Sequence, residues 1–160
     1  MNEEQPTPKP APKPTSGEWQ HANWVSSLGK WAWIIGIVNG IFGIIFSLWG
    51  IGVGTAANVI WAPIVVYSPA SDIWWIIVSI VGIFISFTII RPKFSKPCGE
   101  KDWEALYSWI LNLGGTKVPW MFVWGLILFL FGWYGWGGLA VLIPAIMLIF
   151  AGPRKYEWSE

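Results

Sequence analysis

The chain has 160 residues, of which 54% are hydrophobic, 18% aromatic and 12% charged, with a formal net charge of +1. Soluble domains carry about a quarter charged residues, so this composition describes a membrane chain. It excludes nucleic acid as an electrostatic partner, because duplex binding needs clustered cations on a folded surface; the lone cysteine, Cys98, excludes an internal disulfide and a multi-thiolate metal site.

Residues 1–17 carry proline at every second position from Pro6 to Pro14, with Lys9 and Lys13 between. Such a segment has few backbone donors and no apolar mass to bury, so it is expected to be a disordered arm on the cytoplasmic side. The next stretch, EWQHANWVSSLGK at 18–30, reads as a short interfacial segment with Trp24, Leu28 and Trp31 on one face. Trp19, Trp24 and Trp31 are its expected headgroup anchors, since indole rings prefer that depth.

Residues 31–54 are uncharged and exceed the roughly 20 residues needed to cross a bilayer, which predicts the first span. The run starts too late and is too long for a cleavable signal, so it is read as a retained helix. Residues 55–72 contain Asn58, Pro63, Ser68, Pro69 and Asp72, and are expected to lie as an external loop on the membrane surface. A second span at 73–90 is expected to stop at Arg91 and Pro92.

The following segment, DWEALYSWILNLGG at 102–115, places Trp103, Leu106, Tyr107, Ile110 and Leu113 at helical spacing. With Asp102 capping its start and Gly114 its end, it predicts a second interfacial amphipathic helix, anchored by Trp103, Tyr107 and Trp109. The apolar stretch 118–152 is far too long for one crossing. It divides into spans at 118–134 and 138–152 around the turn at Gly135, Gly137 and Gly138. Both are short, and local bilayer thinning would let such a hairpin reach the far interface.

Both interfacial segments open acid-Trp and later read Leu-Gly, and each helical pair closes on a basic group, IIRPK or AGPRK. The expected architecture is therefore an all-α integral membrane protein of four transmembrane helices. They form two tandem hairpins of the same orientation, 18–97 and 98–160, each preceded by a short interfacial amphipathic helix. Two crossings per apolar stretch keep all ten Lys and Arg on one face, which the positive-inside rule makes cytoplasmic, with both termini there and the cell membrane as the expected location.

Gly36, Gly40, Gly43, Ser47, Gly50 and Gly54 follow spacings of three and four along span one. They form a small-residue stripe for close helix approach, bordered by Asn39, with Ser79, Gly82 and Ser86 as a matching face on span two. Reactive chemistry is sparse by comparison. His21 is the only histidine, the acids Glu100, Asp102 and Glu104 read as a polar helix start, and no metal-binding, nucleophile or phosphate-binding motif occurs. Cys98 is a juxtamembrane thiol of the kind that accepts palmitate, with the unmodified thiol the simpler reading. The expectation is a protein without catalytic residues, metal or cofactor. It would contact membrane lipids and a protein partner or further copies of itself, as an accessory or scaffolding subunit; the alternative is an oligomeric pore or carrier for neutral or hydrophobic solutes.

Overall fold

The computed structural model of the chain describes residues 19–61 and 67–158. The proline arm at 1–17 and the middle of the external loop, with Pro63, lie outside the described residues. Helix α1 runs Ala22–Trp61, 40 residues without interruption, or about 60 Å at 1.5 Å per residue. It absorbs most of the expected interfacial segment at 18–30 and extends past Gly54 into the expected surface loop. Both boundaries are corrected by the same physics: nothing between 22 and 61 removes a backbone donor. Polar residues on the way stay in register, as Thr55 does by donating from Oγ1 to Ile51 O at 2.7 Å.

Helix α2, Ala70–Ile85, passes directly into a π-wound segment, Ser86–Ser95, and then α3, Lys96–Glu100. Arg91 and Pro92 therefore do not stop the helix, contrary to the expectation from sequence. Proline lacks an N–H and its ring crowds the carbonyl four residues back; winding with i→i+5 bonds widens the turn around Pro92 and accommodates it.

Helices α1 and α2 meet along an antiparallel seam with a seven-residue period. A Cβ on Gly36 would strike Ser86, one on Gly43 would strike Ser79, and one on Gly50 would lie 2.8 Å from Asp72 Oδ1. Seven residues per two turns keeps one seam in contact over its whole length. Continued at that spacing, Lys93 would fall opposite Gly29. After the π segment Cys98 occupies that place, packed on Gly29, while Phe94 is buried and Lys93 is exposed.

After α4, Trp103–Ser108, the chain does not remain helical to Leu113 as expected. It forms a β-hairpin of β1, Ile110–Leu113, and β2, Thr116–Pro119, with Ile110 opposite Pro119. Gly114 and Gly115 at φ +56° and +88° supply the left-handed turn that such a hairpin requires. Helix α5, Trp120–Phe131, then turns through Trp133–Gly135 into α6, Trp136–Ala151. The break thus falls a few residues earlier than expected: Gly135 makes the turn at φ +71°, but Gly137 and Gly138 belong to α6. Their missing side chains serve packing, since a Cβ on Gly138 would strike the α5 backbone at Leu128 and Phe129.

Helix α1 is the central element, flanked by α2 on one side and α6 on the other, with α5 against α6. Three helical stretches, Ala22–Ile60, Ala70–Glu100 and Trp133–Ala151, are long and apolar enough to cross a membrane, whereas Trp120–Phe131 is apolar but shorter. Most of the large fully buried side chains gather at the end of the bundle that carries the cations, Val25, Ile90, Phe94, Leu106, Met121 and Leu148 among them, with Val141 farther along α6. Farther along, Ile45, Trp49, Ile77, Phe84 and Leu130 are exposed. An apolar belt of this kind is what hydrocarbon surroundings permit, because lipid exerts no hydrophobic drive to bury it.

Candidate functional site

Helices α2 and α5 touch at only a few points, and between them lies an apolar cleft of about 310 Å³. Its floor is the stripe of α1 at Gly36, Asn39 and Gly40; Ile77, Val81 and Gly82 form one wall, Ile127, Leu128 and Phe131 the other. Gly82 faces this space: a Cβ there would meet nothing within 4 Å.

The other small residues are used within the chain. A Cβ on Gly40 would lie 2.5 Å from Ile83 Cγ1 and 2.9 Å from Ser79 O, and one on Gly54 would strike the Tyr67 ring. Ser47, Ser79 and Ser86 are buried, and the hydroxyls of Ser79 and Ser86 have no hydrogen-bond partner among the described residues. Thus Gly40, Gly43 and Gly50 face α2, Gly36 faces Ser86 at the start of the π segment and Gly54 faces Tyr67, whereas Gly82, grouped with Ser79 and Ser86 from sequence, points elsewhere.

Asn39 is buried, donates from Nδ2 to Trp133 O at 2.7 Å, and has its side-chain oxygen against Gly132 and Gly137. It therefore joins α1 to the turn between α5 and α6. On that turn the Trp133 ring stacks on Phe42 and Phe46.

The expected headgroup anchors divide into two groups. Trp24 and Trp31 are exposed, and Trp19 and Trp109 are half-buried. Trp103 and Tyr107 are buried in protein, Trp103 against Trp19 just before α1 and Tyr107 at the end of α6. Tyr107 donates to Leu148 O at 2.7 Å, satisfying one of the carbonyls left unpaired in the last turn of α6. Burial pushes its hydroxyl up to about 12, against the opposing effect of Arg154, whose guanidinium lies 4.6 Å over the ring.

His21 accepts a hydrogen bond from Trp24 Nε1 at 3.2 Å. Asp102 caps α4 by accepting from Ala105 N, and Glu104 pairs with Arg154 at 3.0 Å. Among the described residues no three His, Cys, Asp or Glu side chains converge. Cys98 is buried against Gly29 and offers no accessible thiol.

Two arrangements had no reading from sequence. Asn58 brackets Tyr67, donating to its carbonyl at 2.9 Å and accepting from its N–H at 2.7 Å. The Tyr67 hydroxyl donates to Asp72, and burial, followed by that hydrogen bond and charge, pushes it up to about 12. The isolated amide in an apolar run was the available signal. The second arrangement is a cation–aromatic stack in which the Arg91 guanidinium lies 4.8 Å over Trp33 and 5.1 Å over Phe87. It depends on the π winding and had no local signature.

The fold thus defines a helical chain with three helices of membrane-crossing length and an apolar cleft between one of them, α2, and the shorter α5. No family model matches the chain, and no match was found to a curated protein or to a solved structure.

Proposed function

We propose that this chain is a non-enzymatic multi-pass membrane protein, acting as an accessory or scaffolding subunit that packs against a helix of another membrane protein. The supporting observation is the α2–α5 cleft, with its glycine floor and with Gly82 facing open space. In lipid, helix association relies on close packing, and small residues allow a partner backbone to approach. A single apolar transmembrane helix with small residues on one face is the proposed occupant.

The proposed embedding has four spans in two hairpins, with α4 at the interface and the cations on the cytoplasmic face of the cell membrane. The described cations lie on elements joined to one end of α1. Lys101 donates to Asn23 at 2.6 Å, a Cβ on Gly99 would meet Lys30, Lys117 N donates to Trp158 O at 2.8 Å, and Arg154 pairs with Glu104. The turn after α5 stacks on Phe46, roughly 24 Å along α1 from Lys30 at the helical rise. That is close to the core thickness of about 30 Å, so modest thinning lets the short hairpin cross.

The test is purification of the tagged full chain in mild detergent with identification of the proteins retained. Gly82→Leu starts from a Cβ in open space on the cleft wall, and should deplete the partner about tenfold or more while thermal stability is kept, since about 1.4 kcal/mol of lost packing already gives a factor of ten. Retention of the partner by the stably folded variant would remove this reading. Solute flux through liposomes containing the purified protein alone would replace it with the pore.

A further inference from the structure

On α1 and the π-wound segment, away from the cleft, lies a groove of about 450 Å³ that includes Lys30, Trp33, Phe87, Arg91 and Lys96. We propose that it binds the phosphate headgroup of an anionic phospholipid. The inference rests on the membrane placement above and is independent of the accessory role.

Three cations converge there from separate parts of the fold, Lys30 from α1, Arg91 from the π segment and Lys96 from the start of α3. All three are exposed. Among the described residues the only ion pair is Arg154 with Glu104, and no carboxylate lines the groove. Other cations are engaged elsewhere: Lys101 with Asn23, and Arg154 with Glu104 and the Tyr107 ring.

Arg91 is held in place before any ligand arrives. Its guanidinium lies over the faces of Trp33 and Phe87, which themselves meet at 6.3 Å. The rings hold the cation by its charge, and no described carboxylate pairs with its N–H donors. Two of them match two oxygens of a phosphate, the geometry in which arginine exceeds lysine. Lys30, resting 5.9 Å over Trp31, and Lys96 add point charge on either side.

Position selects lipid over a free anion. Arg91 directly follows the apolar run that ends at Ile90, and Phe87 and Phe84, about one and two turns deeper, are 51% and 65% exposed, giving acyl chains an apolar surface beside the cations. Basic pockets between transmembrane helices at an interface recognise anionic headgroups in this way.

The full-length protein in detergent is titrated with phosphatidylglycerol or phosphatidylcholine of identical chains, and bound lipid is read by native mass spectrometry. Phosphatidylglycerol should be preferred about fivefold or more. Lys30→Gln and Lys96→Gln should each lower that preference several-fold, as expected for cations at an anionic surface, and Arg91→Gln should bring it to the phosphatidylcholine level. Lys93→Gln makes the same charge change on an exposed residue outside the groove and should leave the preference intact. Equal retention of the two lipids overturns the proposal, as does an equal loss in Lys93→Gln, which would indicate diffuse charge. Displacement by inorganic phosphate at equal concentration overturns it in favour of a free-anion site. Should Arg91→Gln fail to fold, the two exposed lysine variants decide; retention of neither lipid would instead count against the membrane placement.

Discussion

Asn39 Nδ2 lies 2.7 Å from the carbonyl oxygen of Trp133, and this one hydrogen bond ties the middle of α1 to the turn of the α5–α6 hairpin. The amide is buried and flanked by Gly132 and Gly137, whose missing side chains make room for it. Asn39→Ala should therefore lower stability in detergent by about 0.6–2 kcal/mol, the range for interhelical polar contacts in membranes. An unchanged thermal midpoint would mean that the turn is held without this hydrogen bond, by packing such as the Trp133 stack on Phe42 and Phe46.

Glycine positions on α1 should separate sharply. In Gly40→Leu the new side chain meets Ile83 and the backbone oxygen of Ser79, which has little freedom to move. A loss of about 1–3 kcal/mol or more is expected from overpacking. A Cβ on Gly52 would meet nothing within 4 Å, so Gly52→Leu should be neutral or slightly stabilising through helix propensity. Matching thermal stability in the two variants would contradict the seam.

The Tyr107 hydroxyl gives a prediction in alkaline solution. Its folded-state value, pushed up to about 12, exceeds the ordinary 10.0. A neutral acid with a raised value contributes stability that is complete below pH 10 and is lost as the pH climbs towards 12. Tyr107→Phe should cost about 0.5–1.5 kcal/mol at neutral pH through loss of the bond to Leu148 O, yet decline less steeply in alkali. Tyr67 and Tyr156, also raised by burial, leave part of the decline in place. Thermal midpoints at stepped pH give the comparison, and superimposable slopes for the two proteins would count against it.

Topology is accessible to cysteine labelling in a Cys98→Ser background. Ser71, Lys93 and Lys155 are exposed, whereas Ser95 is buried with its Oγ 3.3 Å from Trp33 N and makes a poor reporter. In intact cells an impermeant maleimide should modify Ser71→Cys and spare Lys93→Cys and Lys155→Cys. External labelling of Lys93→Cys would show that the first apolar stretch crosses once.

Composition and the placement of charge foretold helices long and apolar enough to cross a membrane, and three are found, because hydropathy is a sum over neighbouring residues and needs no fold. The small-residue positions of α1 were legible for the same reason: periodicity puts them on one stripe whatever the stripe meets. Partner choice was not legible. Gly36 and Gly82 are alike in sequence, yet one rests on Ser86 and the other opens on the cleft. The two Leu-Gly pairs likewise diverge, Leu28–Gly29 inside α1 and Leu113–Gly114 at a β-turn, since the second is followed by a further glycine and a strand partner. Trp103 and Tyr107 have the composition of lipid anchors and lie in the protein core, while Arg91 has the composition of a helix stop and continues the helix. The physical reason is common to all of these. Hydrocarbon and protein interior are both apolar, so sequence assigns a side chain to a low-dielectric environment, and only packing decides which of the two it enters.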